Sequence, residues 1–123
     1  DMDSEDRNFL FLAMSQLPDE VGYDPEEYYD SYVKFFIYGD SKKPIPENMK
    51  IYNKVGDAYG TLTETAYIKD ESKNIEFILS ATISVNENQI FNDNVYEYET
   101  IGIPFLAALG RAVYAHEVKK RSK

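Results

Sequence analysis

The chain has 123 residues, enough for one domain with a modest core. Asp and Glu outnumber Lys and Arg by 22 to 13, a net charge of −9 that argues against nucleic acid or an anionic membrane as partner. Cysteine is absent, which removes disulfide and thiolate chemistry, and a 43% hydrophobic content rich in Tyr and Phe argues for a folded chain.

The longest mostly apolar stretch, Ile101 to Leu109, falls far short of the ~20 residues that span a bilayer, so no membrane span is predicted. The opening residues carry no basic segment followed by an apolar run, so no secretory signal is visible. Asp1 ahead of Met2 is an unusual natural start, which leaves open a full-length protein or an internal piece of a longer one.

In chain order, Ser4 ahead of Glu5 and Asp6 predicts a helix start, and Arg7 to Gln16 a helix that Pro18 stops. Phe9, Leu10, Phe11 and Leu12 are consecutive, so this helix is expected to be buried on more than one side. Asp24, Pro25 and Glu27 predict the cap, first turn and capping partner of a second helix. Tyr28, Tyr32, Phe35 and Phe36 would form its stripe, and Gly39 would end it. Residues 1–39 are thus expected to be helical, and residues 40–49, with Pro44 and Pro46, an extended connector.

From Lys50 the period becomes alternating. Met49, Ile51, Asn53 and Val55 share one face and Lys50, Tyr52 and Lys54 the other, with Gly56 and Gly60 expected to break the strand. A second strand from Thr61 to Lys69 puts Leu62, Ala66 and Ile68 on one side, and Asp70 to Asn74 is a polar turn. In the third strand Ile75, Phe77, Leu79, Ala81 and Ile83 alternate with Glu76, Ser80, Thr82 and Ser84. Ile78 falls on the polar face, where a covering helix is expected.

Val85 to Tyr96 is predicted as a loop. Phe105, Leu109, Ala112, Val113 and His116 then recur at helical spacing, with Pro104 in the first turn and Lys119, Lys120, Arg121 and Lys123 suiting the C-terminus. The predicted fold is α+β: a three-stranded antiparallel sheet (50–84) with two N-terminal helices and a long C-terminal helix (97–120), as a single domain or fragment.

The stretch Ile45-Pro46 through Lys54-Val55-Gly56, then Tyr59-Gly60-Thr61 and Glu64-Thr65-Ala66-Tyr67-Ile68, resembles the C-terminal part of class A β-lactamases and penicillin-binding-like serine hydrolases. In that family an Ile-Pro segment leads into a strand ending Lys-Thr-Gly or Lys-Ser-Gly. A Tyr-Gly-Thr turn, an acidic-x-Ala-x-Ile strand, another strand and a long terminal helix follow. The order of elements matches from about Asp24 to Lys119, while the specific residues lie between Ile45 and Ile68.

The resemblance implies a site. Lys54 would supply positive charge for a substrate carboxylate and bias a serine's protonation. Gly56 would let substrate backbone approach, the Asp57 N–H would be an oxyanion donor, and Tyr59 would border the substrate. Val55 stands where the family has a hydroxyl residue, a change expected to weaken binding of ordinary β-lactams, and the link from Gly56 to Tyr59 is about one residue short against the family pattern. The family's nucleophile is a Ser-x-x-Lys serine and its partner a Ser-x-Asn loop, both far upstream. Here Ser31-Tyr32-Val33-Lys34 fits the first pattern in mid-helix, while Ser72-Lys73-Asn74 and Ser84-Val85-Asn86 fit the second in the wrong order. The chain is therefore expected to be inactive alone, and no cofactor or metal is implied.

Each sharp reading has a plain counterpart. Lys54 also reads as an edge-strand lysine that discourages pairing, and Ser31 and Lys34 as solvated residues one turn apart. His116 has no evident nucleophile to serve, and the Asn86 to Asp93 loop lacks a calcium register. Two functions stand. One is the C-terminal segment of a serine hydrolase acting on a β-lactam or peptide-like substrate, whose resemblance implies a periplasmic or secreted place. The other is a non-enzymatic acidic module that binds a peptide or protein by strand addition. As a fragment, the chain is expected to form homo-oligomers or to associate with its missing N-terminal part.

Overall fold

The computed structural model describes residues 1–122, so Lys123 lies outside the described residues. The first helix, α1, spans Ser4–Ser15. Its cap is Asp3 rather than Ser4: the Asp3 carboxylate accepts the Glu5 and Asp6 N–H groups at 2.8 and 2.9 Å, and Asp6 accepts the Asp3 N–H at 3.3 Å. The expected burial is not found. No residue of α1 is buried and Phe9 is 68% exposed. The helix lies against the first strand, with Phe11 edge-on to Tyr52 at 5.2 Å, and nothing covers its other side.

The second N-terminal helix is absent. Asp24 does cap: its carboxylate accepts the Glu26 N–H and its carbonyl accepts the Tyr28 N–H at 2.7 Å, one helical turn. Beyond it the bonds are isolated and of mixed span: Tyr32 to Tyr29 and Lys34 to Ser31 are i→i−3, Tyr38 to Phe36 is i→i−2, and Gly39 to Phe35 is a single i→i−4 turn. The run of Tyr, Val, Phe and Ile favours helix weakly. Tertiary partners then take what the helix would need. The Phe36 N–H donates to the Glu64 carboxylate at 2.6 Å, and Ile37 sits at φ 71°. Tyr28 and Tyr29 each pack edge to face on Tyr32 instead of forming a stripe.

The sheet follows the alternation. The strands are β1 (Met49–Ala58), β2 (Thr61–Asp70) and β3 (Ile75–Ser84), antiparallel in the order β1-β2-β3. Gly56 does not break β1, which runs on to Ala58. Tyr59 and Gly60 form the turn with φ 51° and 84°, the doubly positive pair of a type I′ hairpin.

The last helix begins with a π-helical turn, Tyr98–Gly102, and continues as α2, Ile103–Arg121, with Pro104 in its first turn as expected. Its buried residues are Leu106, Ala107 and Gly110, while Phe105, Ala112 and His116 are exposed, so the expected stripe is rotated. The stripe is set by close approach. A Cβ on Gly110 would lie 2.5 Å from the Ile37 nitrogen, so only glycine lets α2 reach the Phe36-Ile37 backbone. Arg111 clasps the same segment, donating to the Ile37 carbonyl at 2.7 Å and pairing bidentately with Asp40 at 2.8 Å.

One sheet face carries the core: Ile51 from β1, Leu62, Ala66 and Ile68 from β2, and Ile75 from β3, under Phe36 and Leu106. Ile78 is not covered by a helix; it is 76% exposed on the opposite face. At the far end of β2, buried Asp70 ties sheet to helix. Its carboxylate accepts from Asn48, the Ser72 N–H and hydroxyl, and the Tyr114 hydroxyl of α2 at 2.6 Å. Burial alone would raise this carboxyl, but those hydrogen bonds outweigh it and hold the group well below the usual carboxylate range. Asp70→Asn is expected to cost about 2 kcal/mol in urea unfolding, because it replaces charge-assisted bonds with neutral ones.

Candidate functional site at the β1 edge

The register decides which backbone groups of β1 are free. In a two-residue hairpin the flanking residues Ala58 and Thr61 form a hydrogen-bonded pair, so even residues of β1 face β2. Two further bonds agree. The Asn48 carbonyl accepts the Glu71 N–H, while the Met49 N–H turns away to the Pro46 carbonyl. Ile51, Asn53, Val55 and Asp57 therefore direct their N–H and C=O toward the unpaired edge. The Ile51 carbonyl is taken by the Lys34 ammonium at 3.0 Å and the Val55 carbonyl by the Lys54 ammonium. Among the described residues the Asp57 N–H has no partner.

A cleft of about 300 Å³ lies at this end of the edge. Val55 and Asp57 border it from β1, and Tyr29, Tyr32, Tyr98 and Glu99 from the turn segment and the π-helical turn. Its lining holds two carboxylates, Asp57 and Glu99, and no Lys, Arg or His. The Glu99 charge and burial both push the Tyr29 phenol up, burial being the larger cause.

Of the residues singled out from the sequence, Val55, Asp57 and Ser31 meet at this cleft, Ser31 with its hydroxyl committed to the Ser41 carbonyl. Lys54, Gly56 and Tyr59 do not line it. The Lys54 side chain belongs to the other face of the sheet, since side chains alternate along a strand. Gly56 is exposed, with open space where a Cβ would be, and Tyr59 is the exposed first residue of the hairpin turn. The sequence offered no sign that Glu99 and the cleft's tyrosines meet: Tyr32 reads as part of a helix stripe, Tyr98 and Glu99 as the start of the C-terminal helix, and Tyr29 as neither.

Ser31 and Lys34 do not form a nucleophile pair. Ser31 is buried and donates its hydroxyl to the Ser41 carbonyl at 2.6 Å. Lys34 is buried elsewhere, donating to the Met14 and Ile51 carbonyls and to Asn53 Oδ1 at 2.9 Å. The Asn53 amide donates in turn to the Val33 carbonyl and to Glu64 Oε1, both at 2.7 Å. A Lys34–Asn53–Glu64 relay thus crosses the core and pins the turn segment against β1 and β2. The lysine is no solvated residue.

Ser72 donates its hydroxyl to Asp70 in the β2–β3 turn, and Ser84 ends β3, remote in role from any base. In the Asn86 to Asp93 loop, Asn88 donates to Asp93 at 2.7 Å. Among the described residues no group of three or more His, Cys, Asp or Glu is placed to hold a metal ion, and no helix is long and apolar enough to cross a membrane. No family model, curated protein or solved structure matches the chain.

Proposed function

We propose that this chain is the C-terminal segment of a serine hydrolase of the β-lactamase and penicillin-binding type, and that Lys54 to Asp57 forms one wall of its acyl-transfer site. The observation that carries the reading is the open Asp57 N–H on an unpaired strand edge beside a cleft. Such a donor, fixed by the strand, suits the oxygen of a tetrahedral intermediate. Substrate would lie as an extended segment along β1, using the backbone of Val55 and Asp57. Lys54 would lend its charge from the opposite face. The nucleophile comes from outside residues 1–123, because Ser31 and Lys34 are each committed to buried bonds. The cleft's two carboxylates disfavour a carboxylate in that pocket and favour a neutral or amine-bearing group there.

The second reading is a module that binds a peptide or protein along the same edge without chemistry. The same open backbone groups favour it. Intact-mass measurement after exposure to a fluorescent penicillin separates the two. The protein carrying its native upstream segment is expected to gain one adduct, on a serine ahead of Asp1, and the 123-residue chain none. An adduct at Ser31, or none on either protein, contradicts the hydrolase reading.

A further inference from the structure

The opposite edge of the sheet is also free, and it differs in character. Odd residues of β2 bond β1, so even residues of β2 bond the odd residues of β3. Glu76, Ile78, Ser80, Thr82 and Ser84 therefore point their N–H and C=O groups outward, and none of these groups bonds a loop, cap or side chain among the described residues. The β1 edge is guarded by Lys50, Lys54 and the Lys34 cover over Ile51. Strand β3 has no such guard. It pairs without a bulge over its whole length and contains no Lys, Arg or Pro, with Glu76 its single charge.

We propose that two copies of this chain pair antiparallel through their β3 edges, about a twofold axis at Ser80. The strand is complementary to itself in that register. Glu76 faces Ser84 of the second copy and Ile78 faces its Thr82, so no like charges meet and every outward group is paired. On the core face Phe77 lies against Ile83 and Leu79 against Ala81. All four are half-buried in the single chain, so pairing continues the apolar layer across the boundary. Exposed Ile78 gains cover on the other face. The contact is isologous and closes at two copies. It is independent of the hydrolase reading, which uses β1.

Sedimentation of the 123-residue chain from about 1 to 500 µM is expected to pass from monomer to dimer. Each copy carries −9, so added salt is expected to tighten the dimer. In the dimer, amide exchange at Ile78, Ser80 and Thr82 slows about tenfold or more, while Val55 and Asp57 are unchanged. Ile78→Lys and Ser80→Pro are expected to stay monomeric with unchanged circular dichroism. Phe9→Glu on the exposed α1 face is expected to dimerise as the parent does. A chain that stays monomeric throughout overturns the proposal. So does a dimer that persists in both β3 variants, one lost in Phe9→Glu, or one formed without slower exchange along β3.

Discussion

Lys34→Met is expected to destabilise the fold by about 3–5 kcal/mol, the range for removing one partner from a buried charged network. The lysine is 2% exposed and Glu64 fully buried, and Asn53 links them. Without the ammonium, the Met14 and Ile51 carbonyls and Asn53 Oδ1 lose a donor, and the Glu64 carboxylate loses its counter-charge. Methionine fills similar volume but answers none of these groups. Urea unfolding of the variant beside the parent reads the difference directly. A loss below about 1 kcal/mol, the size of a surface ion pair, would mean that the relay does not hold the turn segment in place.

The same relay sets a pH dependence. Burial pushes Glu64 up from 4.5 to about 7 and Lys34 down from 10.5 to about 8. Folded Glu64 keeps a proton that the unfolded chain releases, so its contribution is present below pH 4.5 and is lost as pH rises to 7. Folded Lys34 sheds its proton early, so its contribution is present above pH 10.5 and is lost as pH falls to 8. From this pair alone, stability declines between pH 4.5 and 7 at up to about 1.4 kcal/mol per unit. Glu64→Gln is expected to remove that decline. A parent chain with no such slope, in unfolding measured at several pH values, contradicts the assignment.

Gly110→Ala is expected to cost about 2–3 kcal/mol, although alanine is the better helix former. The new Cβ would meet the Ile37 nitrogen at 2.5 Å and the Phe36 carbonyl carbon and Cα at 3.0 Å, all backbone. That backbone cannot yield locally. Phe36 is held by Glu64, the Ile37 carbonyl by Arg111, and Ile37 already sits in a conformation that β-branched residues avoid. Helix α2 must then shift outward and uncover Leu106 and Ala107, the apolar contacts that hold it to the sheet. A melting temperature equal to or above the parent's would show that the helix has room to move.

Most of the β-region was legible because strand alternation and turn chemistry act locally. The face of Ile51, Asn53 and Val55 follows from alternation alone, and Gly60 marks the strand's end, whereas Gly56, also expected to break the strand, lies within it. The second helix failed because capping at Asp24 is a local signal, whereas the bonds that replace the helix reach to residues far along the chain, Glu64 above all. The relay had a visible trace. Asn53 sits among the apolar residues of β1, and Glu64 falls between Leu62 and Ala66 on the inward face of β2. Two polar residues on core faces of neighbouring strands require partners. Nothing local pointed to Lys34 as the third member. The cleft was harder still, since it joins Tyr29 and Tyr32 of a segment that does not form its expected helix to Tyr98 and Glu99 of a π-helical turn, beside Asp57.

The N–H groups of Val55 and Asp57 on the open edge are expected to receive an extended substrate. Amide hydrogen exchange of the 123-residue chain, with and without an N-acyl dipeptide carrying no free carboxylate, tests it most directly. Exchange is expected to be fast at Val55 and Asp57 in the free chain and slow at Lys54, Gly56 and Ala58, with Val55 and Asp57 slowing when the peptide is added. An Asp57 amide that is protected in the free chain, or whose rate ignores the peptide, would contradict it.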